Sequence, residues 1–138
     1  IADFPVPEIA GHPRVKLTPH LGASTQEAEE NCAIMAAQQL TDFLETGNIK
    51  NSVNFPEVTL EPTGGSRLAI TNRNIPGALG QITSILAKNK INVVDMLNKS
   101  REKVAYNLID ITEVVEGHLL RELAELETVI SVREFQVS

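Results

Sequence analysis

Arg67-Leu68-Ala69-Ile70-Thr71-Asn72-Arg73-Asn74-Ile75-Pro76-Gly77-Ala78-Leu79 decides the fold, because within one short stretch a strand ends, a polar loop turns and a helix begins. Leu68-Ala69-Ile70 reads as a short strand. Pro76 suits the opening of a helix whose apolar residues then fall at Ala78, Leu79, Ile82, Ile85 and Leu86, the helical period. Further on, Ile91 to Met96 and Val104 to Ile111 are β-rich. Leu119, Leu120, Leu123 and Leu126 mark a second helix, and Val129 to Val137 a last strand. The order strand, helix, strand, strand, helix, strand predicts an α+β domain: the ferredoxin-like βαββαβ plait, two helices on one face of an antiparallel sheet. A plait of roughly 70 residues has a marginal core, and its uncovered sheet face invites a second copy.

Upstream, Pro62-Thr63-Gly64-Gly65-Ser66 has the composition of a linker, and Gly64 and Gly65 are the natural hinge. The expected organisation is therefore residues 1–57, a linker over 58–66 and a plait over 67–138. In the first part, Val15 to Leu17 reads as a short strand ended by Pro19, and Gly22 permits a tight turn or a close backbone approach. Ser24-Thr25-Gln26-Glu27 fits a capping box with Ser24 as the cap. Apolar residues at Ala28, Cys32, Met35, Ala36, Leu40, Phe43 and Leu44 then predict one long amphipathic helix, ending near Thr46 with Gly47 as C-cap. Cys32 is expected in that packed face. Asn51 to Val58 reads as extended, interrupted by Pro56.

The composition narrows the partners. Twelve Lys and Arg against 18 Asp and Glu, net charge −6, leave no basic cluster to track a phosphate backbone, so nucleic acid is not expected. No apolar run is long enough to span a bilayer and no signal-type start is present, so no membrane partner is expected and the location expected is cytoplasmic. A single cysteine excludes an internal disulfide and the paired thiols of a metal-chaperone plait, and no metal site is expected. Tyr106 is the only aromatic on the central strands, too little for an RNA-stacking sheet.

Two polar loops carry the candidate chemistry. In Thr18-Pro19-His20-Leu21-Gly22-Ala23-Ser24-Thr25, His20 stands at a strand–helix joint, where open α/β folds place ligands. It is either a proton-transfer group or a turn residue bonded to the backbone, and no partner carboxylate is evident downstream. In the second loop, Asn72 and Asn74 precede a helix N-terminus. Helix N–H groups suit a carboxylate and amide oxygens an ammonium, so a small zwitterion fits. Asn92, at the start of the next strand, is expected close to this loop. The alternatives are that Asn74 caps the helix and Asn92 satisfies a turn.

The His20 motif resembles the catalytic-histidine segment of the D-2-hydroxyacid dehydrogenases, and its longer form with Gly22-Ala23-Ser24-Thr25 is similar to their phosphoglycerate dehydrogenase branch. The resemblance implies that His20 is the general acid/base for the substrate hydroxyl during hydride transfer with NAD, that His20 and Gly22 lie at the cofactor, and that residues 1–57 are the tail of an α/β catalytic part. The orienting glutamate, the substrate-binding arginine and the dinucleotide glycines of that family have no counterpart here, so this chain alone is expected to be inactive. Asn74-Ile75-Pro76-Gly77 followed by Lys90-Ile91-Asn92-Val93 resembles the ACT domain. That implies an L-serine effector bound between two such domains, with Asn72, Asn74 and Asn92 at the contact positions, feedback control of 3-phosphoglycerate oxidation in serine synthesis, and self-association into dimers or tetramers. A histidine is usual in that family where Asn72 stands. The alternative is an ACT-type module for another amino acid, or for none, on a different 2-hydroxyacid dehydrogenase.

Overall fold

The computed structural model describes residues 1–4, 6–112 and 114–137, and the chain divides into two compact units, residues 1–38 and 39–138. In the first unit the expected strand at Val15 to Leu17 is reduced to a single parallel bridge, Ala2 to Leu17, with Ala2 N donating to Lys16 O and Thr18 N to Ala2 O. Pro19 cannot continue such a ladder. A 3₁₀ turn, Pro7–Ile9, follows the first of these segments. Helix α1 (Gln26–Thr46) starts later than the capping box predicts: Thr25 Oγ1, not Ser24, accepts from Ala28 N at 3.1 Å. With Thr25 as the cap, the third helical position is Ala28, which has no side chain to reach back. Among the described residues α1 buries no side chain, and Cys32 is exposed, contrary to the packed position expected for it.

The second unit is the plait. Strand β1 (Gly65–Arg73), helix α2 (Ala78–Lys88), strand β2 (Val93–Arg101), strand β3 (Val104–Ile111), helix α3 (Gly117–Ala124) and strand β4 (Val129–Val137) follow in the expected sequence. The antiparallel sheet has the order β2-β3-β1-β4, with β2 and β4 at its edges. This is the ferredoxin-like topology. Leu68, Ile70, Ile109 and Ile111 on one face pack with Ile82 and Leu86 of α2 and Leu119 and Leu123 of α3. Period-2 alternation in the strands and the 3,4 spacing in the helices meet on this face.

The other face is not uncovered. Ile49 and Val58 pair in an antiparallel bridge, and this strap packs on Ala69, Tyr106, Leu108 and Phe135, flanked by Phe43, Phe55, Leu60 and Leu97. Gly47 lets the chain turn from α1 onto the sheet: its φ is +75°, and a Cβ there would lie 3.0 Å from Phe135. Its carbonyl accepts from the Tyr106 hydroxyl at 2.8 Å, and burial pushes the Tyr106 pKa up to about 12. Arg133 lies over the rings of Phe43 and Phe135, 5.4 and 4.7 Å from their centres, covering the strap's margin with a cation–π contact.

A wholly buried ion pair fastens the strap. Arg67 and Asp110, directly opposite on β1 and β3, have side chains with no solvent exposure. Arg67 Nε and Nη2 donate to the two Asp110 oxygens at 2.5 and 2.9 Å, the bidentate arrangement that satisfies both groups. Arg67 Nη1 also donates to the carbonyl of Thr46, at the negative end of α1, and Thr63 gives both its N–H and its hydroxyl to Asp110 Oδ2. The end of α1, the linker and two central strands thus meet at one pair of charges.

Candidate functional site

In the first unit the Ala2–Leu17 bridge sets Asp3 beside Thr18 and His20, and supplies the carboxylate partner that the sequence did not reveal. His20 adopts a left-handed conformation (φ 52°) that turns its ring toward Asp3, with Nδ1 at 2.6 Å from Asp3 Oδ2. The Thr18 hydroxyl donates to the other oxygen, and the Phe4 ring stacks on the imidazole with centres 4.2 Å apart. The Thr18 and His20 hydrogen bonds hold the Asp3 carboxyl below its usual range. A carboxylate on Nδ1 fixes the tautomer and leaves Nε2 as the atom able to exchange a proton with a ligand. All of these groups are exposed. Gly22 is exposed, with open space where a side chain would stand. The described elements include no parallel βαβ unit with a glycine-rich turn, so NAD finds no cradle among them, and no step is assigned to it.

In the second unit the three asparagines have different surroundings. Asn74 is exposed on the loop after β1; its N–H donates to Lys103 O at 2.8 Å and its Nδ2 to Glu102 O at 3.0 Å, tying the loop to the β2–β3 turn. It does not cap α2, whose preceding residue is Gly77 with no side-chain cap. Asn72 is 2% exposed, with Nδ2 on Arg73 O at 2.8 Å and Oδ1 accepting from Asn107 at 2.7 Å. Asn92 is exposed, but it is not close to this loop within one chain. Val93 is level with Ile111 and thence Ser66, whereas Asn72 is level with Ala105, six positions and about 20 Å along the sheet. The start of β2 and the end of β1 lie at opposite ends because β2 returns through the hairpin to β3.

The two glycines of the expected hinge differ in their surroundings. Gly65 is the first residue of β1, with φ +91° and Ile111 O only 2.8 Å from where a Cβ would stand; Gly64, φ +81°, has open space around it. Sequence reading missed Asn98 and Asn107, which share a face with Asn72, and the Arg67–Asp110 pair. Their signal was polarity inside otherwise apolar strands.

Strand order defines the class: a ferredoxin-like βαββαβ domain whose first loop resembles that of ACT domains, preceded by a segment with a dehydrogenase-like histidine motif. The chain is homologous to part of the D-3-phosphoglycerate dehydrogenases. It is 39% identical over 97 residues to the enzyme of Escherichia coli K12, which covers 70% of this chain and 24% of that one. It is 34% identical over 120 residues to that of Haemophilus influenzae (86% and 29%), and 31% identical over 134 residues to D-3-phosphoglycerate dehydrogenase 1 of Saccharomyces cerevisiae (91% and 28%). The chain spans about a quarter of the length of these curated relatives. No protein-family model matches it. Among solved structures, the ACT domain of GTP pyrophosphokinase from Chlorobium tepidum superposes with a TM-score of 0.44 at 18% identity, over 51% of this chain and 95% of that one. The C-terminal domain of MgtC from Mycobacterium tuberculosis gives 0.44 at 14% identity, over 58% and 94%. The strand order, rather than these superpositions, assigns the fold. No helix among the described residues is long and apolar enough to cross a membrane.

Proposed function

We propose that the plait is the L-serine-sensing part of a cytoplasmic, NAD-dependent D-3-phosphoglycerate dehydrogenase, with Asn72, Asn74 and Asn92 forming the effector site across two copies. One observation carries this reading: β2 is an open edge. Its residues are exposed along nearly the whole strand, Val93, Val94 and Met96 among them, and no strand among the described residues neighbours its outer edge. An edge of this kind is a template for pairing. Two β2 strands joined antiparallel about Leu97 set Val93 of one copy opposite Arg101 of the other. That brings Asn92 of the second copy to the end of the sheet where Asn74 and the α2 N-terminus stand, and two amides beside helix N–H groups suit an amino acid's two charges.

In the dehydrogenase as a whole, His20 is the proton-transfer group for the substrate hydroxyl, oriented by the family's glutamate from outside this chain; Asp3 is the carboxylate that this chain itself sets against the imidazole. NAD supplies the hydride acceptor and is held largely by residues outside this chain; the chain alone is inactive. Serine favours the paired arrangement, and the bias passes through the Gly64-Gly65 turn, Gly64 having the open space to flex while Gly65 is held in β1, to the segment ahead of it. Such coupling requires serine to bind the two arrangements with different affinity. Titration calorimetry of the chain with L-serine, alongside sedimentation to establish the dimer, tests the reading. Binding that Asn92→Ala weakens by about 1–3 kcal/mol, the cost of an unpaired polar group, is expected. No heat with millimolar serine in a demonstrated dimer overturns it in favour of a module for another amino acid or for none.

A further inference from the structure

We propose that Asn107 and Asn98 are positioning residues for the effector loop, acting through Asn72 on the direction of the Asn74 side chain. The inference rests on the serine-site reading above and goes beyond it, since neither residue borders the loop. Three asparagines on three adjacent strands share the helix-bearing face of the sheet, Asn98 directly opposite Asn107 and Asn107 directly opposite Ile70. Asn98 Nδ2 donates to Asn107 Oδ1. Asn107, wholly buried, spends both hydrogens of Nδ2, one on Ile70 O at 2.9 Å and one on Asn72 Oδ1 at 2.7 Å.

A carboxamide has two donor hydrogens at one end and an acceptor at the other, so these partners allow Asn107 one orientation. That orientation fixes the next. The Asn72 oxygen must face Asn107, and its Nδ2 must face the loop, where it grips Arg73 O at 2.8 Å. The same carbonyl accepts from Ile75 N at 2.9 Å, closing a three-residue turn with Asn74 at its centre. Asn74 leaves that turn aimed at the β2–β3 hairpin, with its Nδ2 on Glu102 O. The ladder therefore begins on edge strand β2, the strand of the proposed seam, and ends in the backbone that presents Asn74. Burying amides in an apolar layer is costly unless every group is paired, and here each is.

The test uses the whole chain with Asn107→Val, which keeps a strand-compatible shape but no hydrogen bonds, and Asn107→Thr, which keeps a hydroxyl donor. Two readouts are taken: L-serine affinity by calorimetry, and hydrogen exchange at the Ile75 N–H and the Asn74 side-chain amide by NMR without ligand. Asn107→Val is expected to weaken serine binding roughly five- to tenfold and to speed both exchange rates about tenfold, as loss of an ordering hydrogen bond predicts. Asn107→Thr is expected to restore part of both, and adding Asn72→Ala to Asn107→Val to speed the Ile75 and Asn74 exchange no further, since Asn107 reaches the loop through Asn72. If Asn107→Val does not fold, Asn98→Ala on the exposed edge takes its place, with a two- to threefold effect in the same direction. Unchanged exchange at Ile75 and Asn74 in a folded variant overturns the inference whatever the affinity does. If the unaltered chain binds no serine, the effector reading fails, and exchange rates that follow the substitutions still establish that the ladder aims Asn74.

Discussion

Replacing Arg67 by Met leaves the Asp110 carboxylate buried without its partner, and the size of the effect follows from the geometry. Both side chains are wholly buried, so neither charge is screened by water, and Asp110 retains only the Thr63 N–H at 3.3 Å and hydroxyl at 3.1 Å. Breaking a buried pair by removing one partner costs about 3–5 kcal/mol, because the remaining charge keeps its desolvation penalty. A domain of this size has roughly 5–15 kcal/mol of stability in all, and each kcal/mol moves the melting temperature by about 4–8 °C. Arg67→Met should therefore melt at least roughly 12 °C lower, and denaturant titration should show the midpoint move with the slope m preserved. Arg67→Met with Asp110→Leu removes both charges, and most of the loss should return, since replacing a buried pair by packed apolar groups is often neutral. A single variant costing under about 1 kcal/mol, or a double variant costing as much as the single, would refute this account.

Tyr106 is the only tyrosine, so the ultraviolet phenolate band should be absent until close to pH 12; its raised pKa contributes stability that is full below pH 10 and lost as pH climbs through about 12, and a transition near 10 would mean that its burial is wrong. Gly65→Ala, with a Cβ 2.8 Å from Ile111 O and φ +91°, should destabilise by about 1–3 kcal/mol, whereas Gly64→Ala, in open space, should cost only the left-handed backbone penalty of about 1 kcal/mol; equal costs in thermal melts would contradict the packing at Gly65. Because hydrogen bonds from Thr18 and His20 lower the Asp3 pKa, its contribution to folding is present above the usual carboxylate value of 3.8 and is lost as pH falls through the lowered one; Thr18→Val should raise the pKa read by carboxyl NMR, and no upward shift would remove Thr18 from the contact.

The parts of the fold legible in sequence were those whose signals were local. Val104–Ile111 and Val129–Val137 coincide with their apolar runs because polar turn residues bound them. Strand β1 was under-read at both ends, since Ser66, Arg67, Thr71 and Asn72 look like loop residues until Asp110 and Asn107, dozens of positions away, satisfy them. The strap was illegible for a related reason: Ile49 and Val58 are lone apolar residues among polar ones, and only their bridge turns them to one side. At the sites, the His20 and Asn74 loops were found by motif and turn chemistry. Asp3 was not, because its pairing with His20 follows from a single bridge at Leu17. Asn92 was misplaced relative to the first loop because plait topology gives strand order, whereas proximity also depends on which end of a strand a residue occupies.

The strap alters what counts as the smallest self-sufficient piece. Excision at the glycine pair would yield a module of familiar length with Ala69, Tyr106, Leu108 and Phe135 stripped of Ile49 and Val58, and with Arg67 deprived of the Thr46 carbonyl. Such a fragment would present an apolar plane to its own copies and is expected to aggregate through a face that the strap covers in the longer chain. A cut near Gln39 carries the cover with it, so Ala69, Tyr106, Leu108 and Phe135 stay packed beneath Ile49 and Val58. With the strap in place, this sheet face is closed to face-to-face stacking, and the exposed edge strand β2 is the surface that the proposed pairing would use.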